Sequence, residues 1–241
     1  MDLFGGIDLG GTFIKAAAVD GTGTIQGRAK IPTGVQDGRD KVLERMARAL
    51  SQAAEQAGGP LQAAGVGVPG LVSPEGIILR FPNFPGWDGF PLQPALSAQL
   101  GLPTVIENDA NAAAIAEGIA GAATGQRDYI FITLGTGVGA GLVLDGRLHR
   151  GRHGKAAELG HVKVQPGGLL CGCGARGCVE QYASGTALAR EGNRAVEEGH
   201  LPPPGKGGRV TPAWLQSLAL DGNPVAREIF SRGAVFLALA L

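Results

Sequence analysis

The chain has 241 residues, 44% of them apolar, and its 21 basic side chains balance 21 acidic ones. That is enough to bury a sizeable core, and the balanced charge gives no electrostatic footprint for nucleic acid or an anionic membrane. No apolar run approaches the roughly 20 residues needed to span a bilayer. The start, Met1-Asp2-Leu3-Phe4-Gly5, lacks the basic and apolar regions of a secretory signal, so a cytoplasmic location is expected.

In chain order, Phe4 to Asp8 and Ile14 to Val19 read as strands around the glycine turn Leu9-Gly10-Gly11-Thr12. Asp20-Gly21 is a second turn signal, followed by a strand from Thr24 to Lys30. The spacing of Val42, Leu43, Met46, Ala49, Leu50 and Ala53 predicts a helix over Asp37 to Ala57, stopped by Gly58-Gly59-Pro60. A buried strand follows at Ala63 to Val68, then a helix at Leu92 to Leu100. Next come a strand at Thr104 to Glu107 and an alanine-rich helix at Asp109 to Ile119.

A second pass of similar design follows: a strand at Tyr129 to Leu134, the glycine turn Gly135-Thr136-Gly137-Val138-Gly139, a strand at Gly141 to Leu144 and the hairpin turn Asp145-Gly146. Laying Leu9 on Leu134 puts Gly10 on Gly135 and Asp20-Gly21 on Asp145-Gly146. This weak internal repeat predicts two related α/β halves, a first domain over residues 1–115 and a second over 116–241. Leu201 to Gly208 reads as a surface loop, and Pro212 to Leu220 and Pro224 to Leu241 as closing helices.

The two glycine turns are candidate phosphate sites. Asp8-Leu9-Gly10-Gly11-Thr12 places a carboxylate at a strand end, then two residues whose backbone can approach phosphate closely, then a hydroxyl. Asp8 can hold Mg²⁺ through water; an ordinary tight hairpin is the alternative. Gly135-Thr136-Gly137-Val138-Gly139 is a G-x-G-x-G run, but a strand follows it rather than the helix a dinucleotide fold requires. No Gly-Lys-Ser/Thr run supports a P-loop. Two hairpins gripping one phosphate chain fit better.

The 42 glycines exceed ordinary usage of about 7% but follow no period, which excludes collagen. The three cysteines all fall between positions 171 and 178, an odd and clustered set that points to a metal rather than a disulfide framework. With His161, the residues Cys171, Cys173 and Cys178 make a four-ligand tetrahedral set for structural zinc. Gly172, Gly174 and Gly177 allow the turns that would bring the sulfurs together. Glu107-Asn108-Asp109-Ala110-Asn111 sits where a strand gives way to a helix, and on spacing alone Asp109 could be its N-cap.

Asp8 to Thr12, Leu134 to Gly141 and the cysteine cluster together resemble the ROK family (repressors, open reading frames and sugar kinases), and bacterial ROK glucokinases most of all, over residues 4 to 241. The resemblance implies an actin-like ATPase (ribonuclease H-like) fold of two α/β domains with an interdomain cleft. It implies that Asp109 is the catalytic base of an ATP-dependent kinase acting on the 6-hydroxyl of glucose. It gives Asn108, Glu158, His161, Glu180 and Asn83 to the sugar. It gives Asp8, Gly10, Gly11, Thr12, Lys15, Gly135, Thr136, Gly137 and Gly139 to ATP and Mg²⁺. His-x9-Cys-x-Cys-x4-Cys is also the family's zinc arrangement. Gly154-Lys155-Ala156-Ala157 departs from the family's usual Gly-Ala-Ala-Gly.

Phe230 to Leu241 ends in apolar residues with no Gly or Asn stop, whereas relatives continue with a strand, a glycine-rich adenosine-binding segment and a last helix. A truncated second domain and weak ATP binding are expected. A homodimer is the expected assembly, with the sugar and ATP as partners and no nucleic acid or membrane. The alternatives are a kinase for N-acetylglucosamine, N-acetylmannosamine or fructose, and a sugar-binding ROK protein with weak catalysis. A ROK repressor needs a helix-turn-helix ahead of the first strand, for which the sequence before Phe4 leaves no room.

Overall fold

A computed structural model describes residues 2–152, 154–205 and 207–241. The chain divides into two compact units. One runs to Phe131 and includes Gly141–Ala156; the other comprises Ile132–Ala140 and Ala157–Leu241.

The first unit contains β1 (Leu3–Leu9), β2 (Phe13–Asp20), β3 (Ile25–Pro32), α1 (Arg39–Ala57), β4 (Leu61–Val68), β5 (Leu71–Val72), β6 (Ile78–Arg80), α2 (Leu92–Leu100), β7 (Thr104–Asn108) and α3 (Asp109–Ala120). Its main sheet has the order β3-β2-β1-β4-β7. β1, β2 and β3 form an antiparallel meander, and β4 and β7 join in parallel. Strand alternation decides which face is covered: Leu3, Ile7 and Leu9 of β1 and Ile14, Ala16 and Ala18 of β2 are buried. Onto that side α1 packs Val42, Leu43, Met46, Ala49, Leu50 and Ala53, the six residues its spacing singles out. Each fully buried Met or Leu contributes about 1.5–3 kcal/mol.

The helix begins later than its spacing suggests. Val35–Asp37 forms a separate 3-10 turn, and Gly38, at φ 90°, breaks the backbone before Arg39. The Arg45 side chain stabilises this entry by bonding the Thr33 and Gly34 carbonyls and the Asp37 carboxylate.

A smaller sheet has the order β10-β9-β8, from β8 (Tyr129–Leu134), β9 (Val138–Leu144) and β10 (Arg147–Leu148). The second glycine turn is shorter than its sequence suggests, because Val138 and Gly139 already belong to β9. Asp145 and Gly146 have φ of 51° and 73°, the double positive φ of a two-residue type I′ hairpin. Their counterpart in the repeat differs. After Asp20 the chain opens into a longer loop, and Asp20 Oδ1 accepts from the Thr22 and Thr24 amides. The Thr22 hydroxyl and the Gln26 side-chain amide also donate to this carboxylate and, with the Thr22 amide, hold its pKa down to about 2.

The second unit carries α4 (Glu180–Ala183), α5 (Gly185–Glu197), α6 (Pro212–Leu220) and α7 (Pro224–Ala238). Three helices start on a polar cap: Ser184, Thr211 and Asn223 accept from backbone amides of the first turn. Pro212 and Pro224 follow two of these caps, where a missing N–H costs nothing. Leu215, Leu201, Ala195 and Ala226 form one core, and Val138, Leu159, Val179 and Ala183 another, which Phe236 and Leu237 of α7 cover. Val235, Leu239 and Leu241 are exposed. Among the described residues, no helix is long and apolar enough to cross a membrane.

Candidate active site and metal cluster

In the first unit, Gly10-Gly11-Thr12 is the whole turn between β1 and β2. Two of its carbonyls are tied to the protein. Buried Thr33 donates its hydroxyl to the Gly10 carbonyl at 2.6 Å and its amide to the Thr12 carbonyl at 3.0 Å. Asp8 and Lys15 are cross-strand partners, and Lys15 Nζ lies 2.9 Å from Asp8 Oδ2. Both are well exposed, and such a pair is worth about 0–1 kcal/mol.

The helix after β7 is capped by Asn108, not Asp109. Asn108 Oδ1 accepts from the Ala110 and Asn111 amides at 3.0 and 3.1 Å, and Asn108 Nδ2 donates to the Gly70 carbonyl at 3.2 Å. Asp109 is therefore the first helical residue. Its carboxylate accepts the next amide, Ala110 N, at 2.8 Å.

Asp109 shares a cavity of about 1000 Å³ with Asp8, Lys15 and Glu107, on the sheet face opposite α1. The side chain is open to solvent on one side, yet the concave walls displace much of the surrounding water. This desolvation raises its pKa, the Asp8 charge raises it further, and the Ala110 amide opposes both.

Glu107, which the sequence leaves without a role, accepts from the Asn108 amide at 2.9 Å, Asn111 Nδ2 at 3.0 Å and Arg150 Nε at 2.7 Å. Asn83 is exposed on a loop supported by Phe81, Phe84 and Trp87, with the two Phe rings stacked 4.1 Å apart.

In the second unit, the turn Gly135-Thr136-Gly137 is braced in the same manner as the first. The Gly185 amide donates to the Gly135 carbonyl at 2.8 Å, and the Thr186 hydroxyl to the Thr136 carbonyl at 2.7 Å. Both donors open α5. Gly137 leaves room for Glu180, since a Cβ there would stand 2.7 Å from Glu180 Oε2.

Glu158 precedes and His161 ends a 3-10 turn, Leu159–His161. His161 Nε2 faces Glu158 Oε2 at 3.9 Å, while Nδ1 lies 3.9 Å from Glu180 Oε1 and 3.6 Å from Cys171 Sγ. The structure thus brings the three expected sugar contacts of this unit around one imidazole. Ala157, just before Glu158, sits at φ 61°, in the left-handed region that glycine adopts more readily.

The donor atoms of His161, Cys171, Cys173 and Cys178 all lie within 4.8 Å of one another. A zinc tetrahedron with Zn–S of about 2.3 Å and Zn–N of about 2.0–2.1 Å has S–S edges near 3.8 Å and S–N edges near 3.6 Å. The Cys173–Cys178 sulfurs are 3.7 Å apart, and Cys171 Sγ is 3.6 Å from His161 Nδ1. The donor set fits the ion. The loop closes through a bridge between Leu170 and Arg176 and another between Lys163 and Cys178. Gly177 is essential to it: φ is 78°, and a Cβ would fall 1.8 Å from the Gln165 carbonyl oxygen. Desolvation pushes the Cys171 thiol up to about 12, whereas the Ala175 amide draws the Cys173 thiol down. A coordinating ion deprotonates thiols outright.

The description of the ROK family matches residues 4–241. A Streptomyces coelicolor glucokinase is 44% identical over 190 residues, covering 79% of this chain and 59% of that protein. An N-acetylmannosamine kinase from Citrobacter koseri is 42% identical over 184 residues, 76% of this chain and 62% of its own length. The chain therefore spans about three fifths of the curated relatives it matches. The crystal structure of a ROK family glucokinase from Streptomyces griseus, in complex with glucose and AMPPNP, superposes with a TM-score of 0.83 at 39% identity. That match covers 97% of this chain and 76% of the other. The strand order of the main sheet and this solved neighbour give the actin-like ATPase fold. On the match over residues 4–241 and these identities, the chain belongs to the ROK family.

Proposed function

We propose that this chain carries out ATP-dependent phosphorylation of the 6-hydroxyl of glucose, with Asp109 as general base. The observation that carries this reading is the shared cavity of Asp8, Lys15 and Asp109, with the Asp109 carboxyl drawn above its ordinary value by desolvation and by Asp8. A base of raised pKa accepts the hydroxyl proton more readily as the bond to phosphorus forms. The transferred phosphoryl group spreads its charge over three oxygens, so positioning and electrostatics do most of the work.

Within the first unit, Gly10, Gly11 and Thr12 cradle phosphate and Lys15 neutralises its charge. Asp8 would hold Mg²⁺ through water, and the ion would supply further charge neutralisation. Asn108 orients the sugar from the helix cap, and Asn83 borders it. Within the second unit, Gly135, Thr136, Gly137 and Gly139 form the other phosphate turn, and Glu158, His161 and Glu180 bond sugar hydroxyls. His161 Nδ1 and the sulfurs of Cys171, Cys173 and Cys178 would hold a zinc ion, and that bond would fix the ring and leave Nε2 for substrate. The two functional domains of this reading are residues 1–115 and 116–241, bounds that differ from those of the two compact units, and a cytoplasmic homodimer is the assembly expected.

Similarity to glucokinases, one of them crystallised with glucose and AMPPNP, supports glucose and ATP. Similarity to N-acetylmannosamine kinases supports amino sugars as the second reading. A coupled ADP-release assay with glucose, N-acetylmannosamine, N-acetylglucosamine and fructose separates the two. Glucose is expected to give the highest kcat/KM; a higher value for an N-acetylated sugar overturns that order. Binding of sugar with no ADP release from any of them identifies a sugar-binding protein instead.

A further inference from the structure

Glu107 lies one residue before the cap of α3 and is only 17% exposed. In a usual capping box, the third helical residue carries a carboxylate that reaches back to the N-cap amide. Here that position is Asn111, whose side-chain amide donates instead. Glu107 supplies the carboxylate from the other side: its Oε1 accepts both the Asn108 amide and Asn111 Nδ2. Asn108 Oδ1 in turn accepts the Asn111 amide, so the bonds close a ring around the first helical residue, Asp109. The other oxygen, Oε2, is held by Arg150 Nε at 2.7 Å. The Arg150 carbonyl accepts from the Ala156 amide, so the same ion pair links Ala156 through Arg150 to the end of β7.

We infer that Glu107, anchored by Arg150, is a positioning residue: it locks the cap of α3 and so fixes the direction in which Asp109 presents its carboxylate. This rests on the reading of Asp109 as the base. Charge-assisted bonds of this kind are short and directional, and an error of about 1 Å in a reacting group costs on the order of 100-fold in rate.

The test compares Glu107→Gln, Arg150→Gln, Arg150→Lys and the Gln/Gln double variant in the full chain. Glutamine at 107 keeps the volume but sets an NH₂ against a donor in either orientation, Arg150 Nε on one side or the Asn108 amide and Asn111 Nδ2 on the other. Either Gln variant is expected to lower kcat by about 10–100-fold. The ATP KM and the sugar Kd from calorimetry should stay within about threefold. Arg150→Lys should recover most of the loss, and the double variant should be no worse than Glu107→Gln alone, because the two act as one unit. A kcat within about twofold of wild type in Glu107→Gln, or losses that multiply in the double variant, overturns the inference. If Glu107→Gln does not fold, the contrast between Arg150→Lys and Arg150→Gln carries the same decision. If wild type releases no ADP with any sugar, the kinase reading fails on its own. Amide exchange then decides here: at least about tenfold faster exchange at Ala110 and Asn111 in Glu107→Gln supports the lock, and unchanged exchange refutes it.

Discussion

Lys15 faces Asp8 across the β1–β2 register, with its Nζ 2.9 Å from the carboxylate. A lysine thus stands at the turn expected to bind phosphate, held over its edge by a carboxylate. Because both groups are exposed, the pair adds little stability, but a charged bond to a phosphate oxygen is worth about 1.5–3 kcal/mol. Lys15→Met is therefore expected to raise the ATP KM by about tenfold or more and to move Tm by less than about 2 °C. An unchanged KM removes Lys15 from the phosphate site.

Ala157 pays for a left-handed conformation that glycine adopts freely. Ala157→Gly should stabilise the chain by about 1 kcal/mol, a Tm rise of about 2–4 °C for a protein of this size. Thermal unfolding of the two proteins side by side checks this. A lower Tm in the glycine variant shows that unfolded-state entropy outweighs the strain.

The metal cluster predicts about one zinc per chain by elemental analysis of protein purified without chelators. Cys173→Ser should lose most of the metal and weaken sugar binding, since His161 and Glu180 belong to the same cluster of side chains. Gly177→Ala should do the same without touching a ligand, because its Cβ meets the Gln165 carbonyl. Retention of full zinc in both variants contradicts the ligand assignment.

The periodic elements were legible because one residue spacing governs each of them. The face of α1 and the bounds of α2 and β8 follow from the sequence, as does the Asp145-Gly146 turn. Other elements were not. β5 and β6 are only two and three residues long, and although α5 has an amphipathic spacing, Gly185 at its start and Gly192 within it weigh against a helix. At the site, motif residues could be named, but the partners that hold them could not. Thr33 and Thr186 brace the two turns from distant positions, and Arg150 reaches Glu107 across 43 residues. Nothing in the local sequence announces such pairings. Glu107 did leave a trace, since an Asn cap followed three residues later by Asn111 lacks the usual capping-box carboxylate. The assignment of the cap itself turned on geometry: Asp and Asn both suit that position, and only the backbone shows that Asn108 occupies it.

The raised pKa of Asp109 has a definite sign in both activity and stability. As pH falls through the raised value the base becomes protonated, so the acid limb of kcat/KM should lie above the ordinary 3.8. The folded state holds this proton more tightly than the unfolded chain does, so the charged carboxylate opposes folding at neutral pH, and this opposition fades as pH falls through the folded value. Asp109→Asn should therefore not lower Tm at pH 7. The most direct test of the account is glucose-dependent ADP release by Asp109→Asn beside wild type, with glucose affinity measured in parallel. The account predicts a fall in kcat of about 10²–10⁴-fold with glucose Kd nearly unchanged. A variant that turns over within about twofold of wild type at saturating ATP and glucose would contradict it.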